Sequence, residues 1–71
     1  MKTIDISGSN LPYHPLIVAM EEILTLPKGE SIEIISDDRA VCKHLKDYLI
    51  SKNIGFREIY KDSAITLQFK I

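Results

Sequence analysis

The stretch that decides the fold is residues 8–15, Gly-Ser-Asn-Leu-Pro-Tyr-His-Pro, which runs directly into an apolar segment beginning at Leu16. Before it, residues 3–7 alternate polar and apolar side chains, which predicts a short strand. Proline suits the first position of a helix, because the N–H it lacks would be unpaired there and its φ is already helical. Pro15 therefore predicts a helix start and places residues 11–15 at a helix N-terminus, which favours anions and thiolates.

The remaining elements follow from apolar periodicity. Residues 15–26 predict a first helix, whose apolar side chains at helical spacing are Leu16, Ile17, Met20, Ile23 and Leu24. A β-branched strand is predicted over residues 31–36, and a second helix runs from the Asp37-Asp38 pair to about residue 52. Strands over residues 56–61 and 64–71, joined by a tight turn, complete the chain.

The order β-α-β-α-β-β predicts an α/β fold: a two-layer α+β sandwich with two helices on one face of a mixed four-stranded sheet. Right-handed crossovers make the first three strands mutually parallel, and the final hairpin adds one antiparallel strand. The second face of the sheet is left open. At 71 residues, we expect one domain over residues 1–71.

Composition narrows the classes of function. Nine basic against ten acidic residues give a net charge of −1, which argues against nucleic acid as the main partner. One cysteine excludes an internal disulfide and is typical of a reducing compartment. Neither a signal peptide nor an apolar run long enough for a membrane span is visible, so we expect a cytoplasmic protein.

Several segments together match the pattern of a known family. They are Ile4-Asp5-x-x-Gly8 before the loop, the proline loop itself, Pro27-Lys28-Gly29-Glu30, and residues 34–40, Ile-Ile-Ser-Asp-Asp-Arg-Ala. The last resembles the "DDPA" segment of the TusA/SirA family of small sulfur-carrier proteins. The resemblance implies that family's fold, and a protein partner that is a cysteine desulfurase or a sulfur-acceptor protein.

The chain departs from that family in the loop. The family's loop carries a Cys-Pro-x-Pro motif, whose cysteine accepts a persulfide from a cysteine desulfurase and passes the sulfur on. Here Leu11 stands in place of that cysteine, and Pro12-Tyr13-His14-Pro15 makes the proline spacing one residue longer. Leucine cannot carry sulfur, so we expect the fold without the sulfurtransferase activity. The segment Leu11, Pro12, Tyr13, His14 and Pro15 is then predicted to be a binding loop, with Leu11 and Tyr13 as apolar anchors.

Other residues have competing interpretations. Cys42, the only thiol, is either a relocated sulfur acceptor or a small core residue on the apolar stripe of the second helix, and the core interpretation is favoured. His14 is either a recognition residue or an N-cap of the first helix. Asp37 and Asp38 are better explained as helix caps than as paired catalytic carboxylates.

No metal or cofactor site is predicted. Cys42 and His44 are two residues apart on a helix and point about 200° away from each other, so they cannot chelate one ion. Three hypotheses remain: a partner-binding or regulatory module of the TusA/SirA type, an active sulfur carrier that uses Cys42, and a nucleic-acid-binding module. The last would use the open sheet face, where Arg57 and Tyr60 are the expected basic and aromatic side chains, and it is the least favoured.

Overall fold

The computed structural model of the chain describes residues 1–8, 11 and 13–71. Its elements are β1 (Lys2–Asp5), α1 (Pro15–Thr25), β2 (Ser31–Ser36), α2 (Arg39–Ser51), β3 (Phe56–Lys61) and β4 (Ala64–Lys70). The predicted order β-α-β-α-β-β is confirmed. Of the predicted turn after β1 and the predicted binding loop, Ser9, Asn10 and Pro12 lie outside the described residues. Neither α1 nor α2 has the length and apolar character that crossing a membrane requires.

The sheet is mixed and four-stranded, with the spatial order β1-β2-β4-β3. β1 pairs with β2 in parallel, and β4 lies between β2 and β3 and runs antiparallel to both. Three strands therefore share one direction, as the crossover rule predicts, and β4 is the reversed one. Because α1 follows β1 and α2 follows β2, both helices begin at the carboxyl end of the parallel strands.

The core lies between the helices and one face of the sheet. In β2 and β4 every second side chain is buried, which is the period of a strand covered on one face. Those side chains join buried residues of both helices in a single cluster: Ile6, Ala19, Ile23, Ile32, Ile34, Val41, Leu45, Leu49, Leu67 and Phe69. This confirms the predicted two-layer sandwich with both helices on one face.

Two apolar residues of α1 do not lie where the sequence predicted them. Ile17 and Leu24 are 50% and 68% exposed, whereas Ala19 and Ile23 are the buried residues of the helix. At about 100° per residue, Ile17 and Leu24 point more than about 130° away from Ala19. The apolar arc of α1 is wider than the face that the sheet covers, so the edge of the arc that carries Ile17 and Leu24 remains in solvent.

Candidate functional site

The chain between β1 and α1 is held by local hydrogen bonds at both ends. After β1, the Asp5 carboxylate accepts bonds from the Ser7 hydroxyl and, at 2.9 Å, from the Ser7 backbone N–H. These bonds, the hydroxyl contact first, hold the pKa of Asp5 below its ordinary value. Gly8 then takes a φ of 95°, a conformation that few residues other than glycine adopt. The turn leaving β1 is thus fixed by Asp5, Ser7 and Gly8.

The other end is the start of α1, where His14 is the N-cap. Its Nδ1 accepts the backbone N–H of Leu16 at 3.2 Å, and its carbonyl oxygen accepts the N–H groups of Ile17 and Val18. Pro15 occupies the first helical turn, as predicted. A histidine that accepts a helix N–H does so through a neutral nitrogen, so the cap requires an unprotonated Nδ1.

The two predicted apolar anchors of this segment have different surroundings. Leu11 is half-buried and packs against the core cluster. Tyr13, by contrast, is 60% exposed, and His14 beside it is exposed as well. The described part of the segment therefore leaves Tyr13 and His14 in solvent, while Leu11 contributes mainly to the fold.

The loop between β1 and α1 leaves a parallel strand and ends on a helix that begins with a proline. In the family that the sequence resembles, the sulfur-carrying cysteine lies in this loop. A family model described as sulfurtransferase TusA matches residues 2–71. The chain belongs to the TusA family. A search of curated proteins found no match to this TusA-family chain.

Comparison with solved structures agrees with this fold. The TusA-family chain is similar to the crystal structure of a SirA-like protein from Desulfitobacterium hafniense, with a TM-score of 0.78. The two sequences are 21% identical, and the match covers 99% of this chain and 96% of that one. At that identity the likeness establishes the shared fold.

The only cysteine of this TusA-family protein is buried. Cys42 is 2% exposed and lies in the first turns of α2. Burial raises the pKa of its thiol, and this effect exceeds the opposite influence of the nearby Ser36 hydroxyl and Lys46 ammonium. A buried thiol with a raised pKa has a small thiolate fraction at neutral pH, which disfavours it as a nucleophile.

Cys42 nevertheless lines a cavity of about 280 Å³ between α2 and the β3–β4 hairpin. The other lining residues are Arg39, Lys46, Tyr60 and Ile65. Arg39, Cys42 and Lys46 share one face of α2, because they are spaced by three and four residues. The spacing on α2 relates three of the five lining residues to one another, but their proximity to Tyr60 of β3 and Ile65 of β4 depends on tertiary packing and was not predicted.

Hydrogen bonds join α2 to β3 at the edge of this cavity. Lys46 Nζ lies 2.8 Å from Glu58 Oε2, and the Tyr60 hydroxyl donates to Glu58 Oε1. The Lys46 contact, followed by the Tyr60 hydroxyl, lowers the pKa of Glu58. Conversely, the bond to Glu58 raises the pKa of Lys46 and that of Tyr60. The carboxylate is thus the shared acceptor of two side chains from two elements.

Glu58→Gln is expected to make the free energy of unfolding less dependent on pH under acidic conditions. A carboxyl with a lowered pKa in the folded state stabilises the fold above its unfolded pKa, and this contribution is lost as the pH falls through the folded pKa. The free energy of unfolding of the variant should therefore fall less than that of the wild type between about pH 5 and pH 2. Urea unfolding at a series of pH values measures this difference.

Asp47→Asn is the control for that prediction, since it removes an exposed carboxylate that lies 3.7 Å from Lys43 on α2 itself. The free energy of unfolding of Asp47→Asn should fall with decreasing pH as much as that of the wild type. An acid profile of Glu58→Gln that matched the wild type would contradict the assigned role of Glu58.

The strands of the open sheet face lack the aromatic side chain that the nucleic-acid hypothesis required. Tyr60 is in register with Ile65, a buried residue of the helix-covered side, so the expectation that Tyr60 lies on the open face is wrong. Arg57 does lie on the open face, in register with Gln68, which donates to Glu33 at 2.6 Å. Side chains in register on this face are Thr3, Asp5, Ser31, Glu33, Ile35, Arg57, Ile59, Lys61, Ala64, Thr66, Gln68 and Lys70. None of these strand residues is aromatic, and stacking on aromatic rings is the main mode of single-strand recognition.

The predicted capping residues lie at the start of α2. Asp38 is the N-cap of α2, and its Oδ1 accepts the N–H groups of Ala40 at 2.9 Å and Val41 at 3.4 Å. Asp37 is exposed, and the buried Ser36 hydroxyl accepts the Asp38 N–H at 3.1 Å. Within residues 1–8, 11 and 13–71, no cluster of histidine, cysteine and acidic side chains is placed to hold a metal ion.

Proposed function

We propose that this TusA-family protein is a partner-binding or regulatory module of sulfur relay that carries no sulfur itself. Its contact segment is residues 11–15, at the start of α1. The single observation on which the proposal rests is Leu11: an aliphatic side chain stands where the family resemblance requires a sulfur-accepting cysteine. A persulfide needs a thiolate to form, and leucine has none.

The environment of Leu11 supports this view. Leu11 is half-buried and packs against the core, so the leucine has acquired a packing role in the loop. A thiol of the same chain could replace the lost cysteine only if its sulfur could reach a persulfide carried by a protein partner. Cys42 is buried, and its raised pKa keeps it protonated, which weighs against relocated carrier chemistry.

The surroundings of Tyr13 support a docking role. An exposed tyrosine offers a large apolar contact area with few rotatable bonds, and such residues dominate binding energy at interfaces. The adjacent His14 is fixed by its bond to the N–H of Leu16, and Pro15 has a restricted φ. Because His14 and Pro15 are held before binding, they lose little conformational entropy when a partner binds.

The partner class is inferred from the family, whose members are sulfur-relay proteins that interact with other proteins. We propose a cysteine desulfurase or a sulfur-acceptor protein. The acidic and basic residues nearly balance, which fits a protein partner better than a nucleic acid.

Intact-mass spectrometry tests the proposal. The wild type is incubated with free cysteine and a cysteine desulfurase that has been verified on a sulfur-carrying TusA-family protein, and the mass is recorded without reductant. We expect no added sulfur on the wild type. A gain of one sulfur that dithiothreitol removes and Cys42→Ser abolishes would overturn the proposal in favour of carrier chemistry at Cys42.

Leu11→Cys is the matched variant in the same assay. It places a thiol where the family resemblance locates the cysteine, without altering the exposed Tyr13 and His14. We expect this variant to gain one sulfur, because the desulfurase would still dock on the unchanged segment. If Leu11→Cys is folded but stays unmodified while the control carrier is loaded, the proposed docking on a desulfurase is wrong.

A further inference from the structure

We propose that the cavity between α2 and the β3–β4 hairpin is a binding site for a small anion, with Arg39 as its principal ligand. The cavity is distinct from residues 11–15, and the proposal does not depend on partner docking. It identifies a site for a carboxylate or a small oxyanion in a chain whose overall charge is negative.

The charges that line the cavity carry this inference. Its polar wall is formed by the cationic side chains of Arg39 and Lys46 and by the Tyr60 hydroxyl, and none of the lining residues is acidic. Glu58 stands beside the cavity, but its two oxygens are already engaged by Lys46 and Tyr60. Because the charge of Lys46 is paired with that of Glu58, the positive charge left for a ligand in this wall is that of Arg39.

Arg39 supplies the free donors. In the part of the chain that the structure describes, no carboxylate lies within salt-bridge distance of its guanidinium. The carboxylate nearest in sequence, Asp38, is hydrogen bonded to the amides of Ala40 and Val41. A guanidinium has five N–H donors in a planar array that matches the geometry of a carboxylate or an oxyanion.

The size and the remaining walls set the class of ligand. A volume of about 280 Å³ is slightly below the usual range for small-molecule sites, so the cavity suits a small ligand better than a nucleotide. Ile65 and the ring of Tyr60 supply apolar surface to the cavity. The arrangement suits a compact anion with a small apolar part, such as a short-chain carboxylate.

Cys42 provides a chemical reporter for this site, because it lines the cavity and is the only thiol in the chain. Iodoacetate and iodoacetamide both alkylate a thiolate, which displaces iodide and forms a thioether. The two reagents are nearly the same size, but iodoacetate is an anion and iodoacetamide is neutral. The ratio of their rates at Cys42 therefore measures anion preference, and changes in the thiol pKa cancel from it.

The experiment compares this ratio between native proteins, with the alkylated fraction followed by intact-mass spectrometry. Arg39→Gln should lower the iodoacetate-to-iodoacetamide ratio by about threefold to tenfold, because removing the charge removes the local attraction. Arg39→Lys should retain most of the wild-type ratio. Arg57→Gln, which removes one positive charge from the open sheet face, is the control and should leave the ratio unchanged.

Three results would overturn the proposal. The first is an iodoacetate-to-iodoacetamide ratio that is the same in Arg39→Gln as in the wild type. The second is a ratio that falls equally in Arg39→Gln and Arg57→Gln, which would indicate a general effect of net charge. The third is a Cys42 that neither reagent modifies until the protein is denatured, because the cavity would then be closed to small anions. Thermal unfolding by circular dichroism verifies that each variant is folded, so that the rates refer to the native state.

Discussion

Leu45→Ala is expected to lower the free energy of unfolding by about 2–5 kcal/mol. Leu45 lies on α2 with no exposed surface and belongs to the cluster that joins both helices to the sheet. Truncating it removes buried apolar area and leaves a cavity that the neighbouring side chains fill only partly. A domain of this length has a total stability of roughly 4–11 kcal/mol, so the loss would be a large share of it.

Urea unfolding monitored by far-ultraviolet circular dichroism measures this loss. Ile50→Ala is the matched control, since Ile50 is on the same helix and is 62% exposed. The control should change the free energy of unfolding by less than about 0.5 kcal/mol. Equal effects of the two substitutions would contradict the assignment of the core to the sheet-facing side of α2.

Tyr13→Ala is expected to weaken binding to a cysteine desulfurase by tenfold or more, which corresponds to about 1.4 kcal/mol. Tyr13 is the large exposed residue of the proposed contact segment, and its removal takes away the contact area that an interface would desolvate. Since the ring is mostly in solvent, the free energy of unfolding should change little. Isothermal titration calorimetry gives the dissociation constants, and urea unfolding verifies the stability.

Tyr60→Ala is the matched control for binding. Tyr60 is 63% exposed, close to the value for Tyr13, but it lies on β3 and not at the start of α1. The control should bind as the wild type does. If both tyrosine variants lost affinity to the same degree, or if only Tyr60→Ala did, the contact segment would not be residues 11–15.

Local sequence was sufficient to predict much of the fold. Pro15 marked the start of α1, and Asp37 and Asp38 marked the region where α2 begins, because prolines and capping residues act on the backbone within a few positions. The alternation in β2 and β4 identified their buried faces for the same reason: it reflects a period of two within one strand. Such signals need no knowledge of distant parts of the chain.

The candidate site could be predicted only in part. The departure from the family pattern at Leu11 is visible in the sequence, but its packing against the core is not. Tyr60 was assigned to the wrong sheet face, because that assignment depends on the register with which β3 pairs with β4. Ile17 and Leu24 were assigned to the buried face, since periodicity shows that an apolar arc exists but not how much of it the sheet covers.

By itself, the sequence determined the element order, the two-layer architecture, the resemblance to the TusA/SirA family and the absence of the loop cysteine at Leu11. Each of these depends on residue identity and on spacing over a few positions. The tertiary structure alone decided that Cys42 is buried, that Lys46 of α2 reaches Glu58 of β3, and that no carboxylate among the described residues pairs with Arg39. These contacts join residues that are distant in sequence, so they exist only once the hairpin has packed against α2.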